Sequence, residues 1–177
     1  MKSIYWLLIL ILAALSAWSL FLSYQSPKIA YVRSQELIFN YSGTKEARVD
    51  YENKKAVWMA NVDTLRMDFQ RAVNSYNNDY KILTPSERQE KEAYLDRQKS
   101  QLDQYTLTIE EKSREEDQKM MQAVLNQVNS FVEEYAKTNN YDVILGTTAS
   151  GSVLYGDESL DITEDLLKAL NENYEGK

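Results

Sequence analysis

Leu83-Thr84-Pro85-Ser86-Glu87 holds the one proline between Gly43 and Gly146, a stretch with no glycine between its ends. Glycine and proline are the residues that interrupt helices, so their absence predicts a very long helical element there. The quoted pentapeptide reads as the start of a second helix. Thr84 is its N-cap, Pro85 its first helical residue, and Glu87 closes a capping box. The simplest object is a hairpin of two long helices that turns at residues 82–86.

Periodicity on either side supports two arms. In the first arm, 45–82, Tyr51, Trp58, Leu65 and Ala72 recur every seven residues. Val62, Phe69 and Tyr76 follow four residues after members of that row and Leu83 continues their sevens, the 4-and-3 alternation of a coiled-coil seam. The second arm, 85–138, carries Leu95, Leu102, Tyr105 and Ile109, then a polar stretch from Glu110 to Lys119. Apolar residues resume at Met120, Met121, Val124, Leu125, Val128, Phe131, Val132 and Tyr135. The polar stretch reads as a solvated face, so the seam is expected to loosen partway along.

Around the hairpin the pattern changes. Lys28–Arg33 reads as a strand, and Ser34–Tyr41 as a short helix ended by Ser42-Gly43-Thr44. After Asn139-Asn140, Tyr141–Leu145 and Ser152–Tyr155 read as two further strands, whose near-continuous apolar content predicts burial on both faces. Asp161 or Thr163 caps a last helix through Leu166, Leu167 and Leu170. The strands can meet only if the hairpin leaves the sheet and returns to it. The expected fold is therefore α+β and mostly α, with three short strands and a terminal helix forming a small β body. That body comprises 28–44 and 139–177, and the hairpin arm 45–138 has its tip near Pro85.

The 177 residues contain no cysteine and no histidine, and the net charge is -7. Disulfides, thiol nucleophiles, the commonest general base and the usual zinc ligands are thereby excluded. Residues 140–177 hold eight acids against two lysines, and 45–83 seven bases against six acids, which is no footprint for nucleic acid. Gly146–Gly151 lacks the lysine of a phosphate-binding loop and reads as a turn. Asp157, Glu158 and Asp161 read as turn and cap residues rather than calcium ligands. No catalytic constellation, cofactor site or metal site emerges, so an enzyme is not expected.

Ile4 to Leu22 is apolar apart from Ser16 and Ser19, and Lys2 precedes it. This is the layout of an export signal, and its 19 residues also suffice for a membrane-spanning helix. Residues 1–26 are expected to act as a cleaved signal or as an inner-membrane anchor through 4–22.

Three segments in this order and spacing resemble the Skp/OmpH family of periplasmic chaperones. They are Lys28-Ile29-Ala30-Tyr31-Val32, Tyr141-Asp142-Val143-Ile144-Leu145-Gly146-Thr147 and Leu154-Tyr155-Gly156-Asp157-Glu158. Asp161-Ile162-Thr163, Leu167, Leu170 and Asn171 extend the likeness to about residue 174. The resemblance implies a homotrimer with a central β body, three projecting hairpins, and unfolded outer-membrane proteins held between them without ATP. Ile29, Tyr31, Val32, Val143, Leu145, Val153 and Tyr155 are then the candidate trimer core. Pooling strands between subunits also removes exposed sheet edges. Tyr51, Trp58, Val62, Leu65, Phe69 and Tyr76 are the candidate client-binding residues, with the hairpin seam as the competing use of the same row. The known members are basic and this chain is acidic, so their lipid contacts do not carry over. Arg33 stands where relatives commonly have an acidic residue, so a salt bridge at that place is unsupported. The competing reading is a membrane-anchored coiled-coil scaffold or spacer of an envelope complex.

Overall fold

The computed structural model describes residues 6, 11–16, 18–19, 26–148, 151 and 153–176. The expectation for residues 4–22 thus falls largely outside the described residues. Among the described residues no helix is long and apolar enough to cross a membrane. The chain divides into two compact units, Met1–Leu37 with Asn129–Leu170, and Ile38–Val128 with Asn171–Lys177.

In the first unit, β1 (Ile29–Arg33) and β2 (Val143–Thr147) pair in parallel, with Ile29 opposite Val143 and Arg33 opposite Thr147. Parallel neighbours need a long crossover, and all the intervening helices supply it. The strand expected at Ser152–Tyr155 does not form among the described residues. Ser152 lies outside them, and Val153–Tyr155 joins no ladder. Leu154 and Tyr155 are 95% and 85% exposed. The place beside β1 is taken instead by Asp161 and Ile162. Asp161 bridges Tyr31, and the Ile162 N–H donates to the Tyr31 carbonyl at 3.1 Å. That contact occupies the other edge of β1, and among the described residues the apolar run joins no ladder. Burial on both faces also fails. β1 alternates, with Ala30 and Val32 buried and Ile29 exposed on the other face, and β2 leaves Val143 and Leu145 exposed.

Helix α1 (Ser34–Asn40) follows β1 directly, and α4 (Thr163–Tyr174) closes the chain. The start of α4 is tied to β1 by a compact polar junction. Thr163 is fully buried, and its Oγ1 accepts from the Arg33 N–H at 2.9 Å. Asp161 accepts from the Thr163 backbone N–H at 2.9 Å and from its hydroxyl. Arg33 also forms ion pairs with Asp161 at 3.0 Å and Glu36 at 2.6 Å, so the substitution at this place brings its own salt bridges. Around the junction Ala30, Val32, Leu37, Ile162, Leu166 and Leu170 form the apolar core. Gly156 lies against the Tyr31 ring: a Cβ there would sit 2.4 Å from it, so a side chain would force the ring to shift.

The second unit is built on α2 (Ser42–Asp79) and the part of α3 (Pro85–Thr138) up to Val128. The break before the first arm narrows to Tyr41 alone, and Gly43 lies inside the first turn of α2. A Cβ on Gly43 would fall 2.5 Å from the Tyr41 ring, which explains the glycine. Asn171 caps this end through Oδ1, accepting from the Ser42 N–H at 2.8 Å. At the tip the capping box forms: Glu87 Oε2 accepts from the Thr84 N–H at 2.8 Å, and Thr84 Oγ1 accepts from the Glu87 N–H at 3.4 Å. These bonds hold the Glu87 carboxyl below its usual range. The far end of α3 belongs to the first unit and ends at Thr138, two residues before Asn140, whose φ of 56° is left-handed. The Tyr141 N–H returns to the Ala136 carbonyl at 2.9 Å.

Cross-helix pairs show the antiparallel register. Tyr41 meets Gln127, Tyr51 meets Ser113, Lys54 meets Glu116, Asp79 meets Lys91 and Tyr76 meets Glu92. From Tyr41, just before α2, to Asp79 near the tip, the partners pass from Gln127 through Glu116 and Ser113 to Glu92 and Lys91. Tyr51, Val62, Ile109, Val124 and Val128 are buried along this contact. The polar stretch of α3 does not loosen it. Ser113 and Glu116 are half-buried and continue the seam, Ser113 through a 2.9 Å hydrogen bond to Tyr51 and Glu116 through Lys54 at 2.5 Å. A 3-and-4 spacing of less exposed positions carries through Ile109, Ser113, Glu116 and Met120. An apolarity count misses it because hydrogen bonds replace burial there.

Two tests follow from these contacts. Thr163→Ala removes the acceptor of the part-buried Arg33 N–H and should cost about 1–3 kcal/mol in urea unfolding, with Thr163→Ser largely restoring it. Burial raises the Asp161 carboxyl, yet bonds from the Thr163 side chain and backbone and the Arg33 charge outweigh it, leaving a net lowering. Its stabilisation is therefore full above the ordinary carboxylate range, near pH 4, and is lost as pH falls through the lowered value. Asp161→Asn should flatten that acid limb; an unchanged limb would exclude Asp161 as its source. In the seam, Val62→Ala should cost about 1.5–3 kcal/mol, whereas exposed Val57→Ala should stay within about 0.5 kcal/mol.

Candidate functional site

Seam contacts occupy most of the aromatic row expected to meet clients. Val62 is fully buried and Tyr51 nearly so. Trp58 is half-buried, with the Lys112 ammonium 4.7 Å from its ring centre. Phe69 is half-buried on the same side. Tyr76 is half-buried, donates its hydroxyl to Glu92 and stacks edge-on against Tyr80, with ring centres 5.7 Å apart. The bond to Glu92, aided by desolvation, pushes the Tyr76 hydroxyl up to about 12, so it stays a neutral donor at any physiological pH. Leu65, at 41% exposure, is the one candidate of the row left open to solvent.

Other apolar side chains on α2 and the turn, outside that row, are exposed as well. Val49, Val57, Met59 and Met67 stand out along α2, and Tyr80 and Ile82 lie at the tip. Sequence reading passed over them because they fall outside the 4-and-3 rows used to find the seam. The signal was available: apolar residues outside a satisfied seam row have no partner within the hairpin. Near the tip, Ala72, Tyr76, Tyr94 and Leu95 line an open cleft of about 150 Å³, with Lys91 at its side. Its lining is largely apolar and holds no acid.

On the β body, Ile29, Val143, Leu145 and Tyr155 are exposed, Tyr31 and Val153 are half-buried, and Val32 belongs to the core of the single chain. Gathered in one unit, these residues present apolar surface to water among the described residues. The acidic residues of this region serve the fold. Asp157 accepts from the Ser159 N–H at 3.0 Å, and Asp161 caps α4. Among the described residues no group of three or more carboxylates is placed to hold a metal ion. Surface ion pairs such as Arg66–Asp63 and Lys137–Glu133 join near neighbours on one helix. Exposed pairs of this kind contribute little to stability.

Comparison with known proteins places these features. No curated protein matches the chain. A crystal structure of a candidate outer membrane chaperone (OmpH-like) from Caulobacter crescentus CB15 superposes with a TM-score of 0.74 at 13% identity. The superposition covers 84% of this chain and 86% of that one, and it establishes the shared fold. The family model described as "Outer membrane protein (OmpH-like)" matches residues 28–170, which takes in β1, the whole hairpin, β2 and most of α4. On that match, the chain belongs to the OmpH-like outer membrane protein family.

Proposed function

We propose that this protein is an ATP-independent holdase of the periplasm that keeps unfolded outer-membrane proteins from aggregating. The observation that carries the reading is a hairpin with its own complete seam that still exposes apolar side chains to water, in a chain of the OmpH-like family. A helical arm needs no such residues for its own stability, and each costs solubility. Residues 45–138 act as the arm, and 28–44 with 139–177 as the body. Capture rests on many weak apolar contacts, each following about 25 cal/mol per Å² buried, so no single residue dominates and clients are not selected by sequence.

The body assembles as a homotrimer in this reading. Ile29, Val143, Leu145 and Tyr155 supply the exposed apolar surface, and the side of β2 away from β1 carries no further strand among the described residues. Burying both between copies removes an edge that would otherwise recruit other strands. A second arrangement, tethering to the inner membrane as a scaffold or spacer, is favoured by the apolar run from Ile4 to Leu22. Amino-terminal sequencing of protein isolated from cells separates the two: a start near residue 17 or 20 supports the free chaperone, and an intact Met1 the tether.

The purified protein should suppress light scattering when a urea-unfolded β-barrel protein is diluted into buffer, with no nucleotide added. Unchanged aggregation at a molar excess of the protein would rule the holdase out. Multi-angle light scattering should give three times the chain mass, and Leu145→Asp should lower it; a stable wild-type monomer would contradict the trimer.

A further inference from the structure

We infer that the client-contact surface of the arm is the face of α2 turned away from the seam, carried by Val49, Ala56, Ala60 and Met67. The inference rests on the holdase reading and assigns its binding residues. Each of these four precedes a seam residue by two positions: Val49 before Tyr51, Ala56 before Trp58, Ala60 before Val62 and Met67 before Phe69. Two positions on an α-helix are about 200° apart, so the four share the opposite face. All are exposed, Val49 and Met67 at 59% each.

The same offset gives a different chemistry on α3. Two positions before its less exposed residues stand Asp96, Asp103, Glu111 and Gln118, with Leu107 as the large apolar exception. Farther along α2 the stripe turns to amides, Gln70 and Asn74, which hydrogen-bond each other at 3.2 Å. Leu107 apart, the large apolar residues at this offset thus lie on α2, over about 27 Å of it. The one acid within the stripe, Asp63, is neutralised by Arg66 at 2.5 Å. The face presents no net charge to a partner and so favours neither acidic nor basic chains.

These properties select the occupant. Two of the four side chains are alanines, and the stripe offers only a fraction of the ~1,000 Å² that a stable interface requires. A second copy of the arm would gain too little to dock there. An unfolded polypeptide in an extended stretch needs no fixed register. About eight of its residues span 27 Å, and their apolar side chains meet the stripe in many alignments.

The test uses the intact protein and a urea-unfolded β-barrel outer-membrane protein as the probe. The double variant Val49→Lys with Met67→Lys should raise the dissociation constant about tenfold or more, while Leu107→Lys leaves it unchanged. Circular dichroism melts and sedimentation should match the wild type; should the lysines lower the melting temperature, Val49→Ala with Met67→Ala should still weaken binding severalfold. Wild-type affinity in both double variants would overturn the assignment, and so would a change in assembly mass, which would make the stripe a contact between copies. Failure of the wild type to bind would remove the holdase reading itself, and the stripe with it.

Discussion

The antiparallel seam between α2 and α3 is the constraint on which the arm depends. Isolated helices are marginal in water, and most helical stability in proteins comes from packing an amphipathic face. Here that face is narrow: Val62 and Ile109 are buried and Tyr51 nearly so, while much of each helix surface stays wet. The seam is continued by polar contacts where apolar residues run out, at Tyr51–Ser113 and Lys54–Glu116. It consumes the aromatic row of α2 and so separates what holds the arm together from what the arm can offer to other chains.

A second economy operates in the body. One buried threonine serves three ends at once, accepting from β1, starting α4 and meeting the aspartate that bridges Tyr31. The bridge fills the edge of β1 where another strand would otherwise lie. Apolar residues at Leu154 and Tyr155 are left in water. A sheet of two parallel strands is too small to be a core alone. The apolar interior therefore comes from α1, α4 and the inward residues of β1.

Charge has a smaller part than the net value suggests. Two acids of the terminal region, Asp157 and Asp161, serve as caps, and several along the helices pair with bases one helical turn away. Such short-range pairing leaves the arm surface patterned by apolarity rather than by sign.

The sequence by itself determined the long helices, the turn at Pro85 with its capping box and the alternation of the seam. Each is a local rule, since glycine, proline, cap spacing and helical period act between residues close in the chain. Tertiary structure alone decided the rest. A run of β-favouring residues at 153–155 joined no ladder, while Asp161, eight residues beyond Val153, took the edge of β1. Arg33 found carboxylates at Glu36 and, far along the chain, at Asp161. The polar stretch of α3 held its seam because Tyr51 and Lys54 stood opposite Ser113 and Glu116. Partners distant in sequence settle such competitions, and no local pattern records which of them arrives.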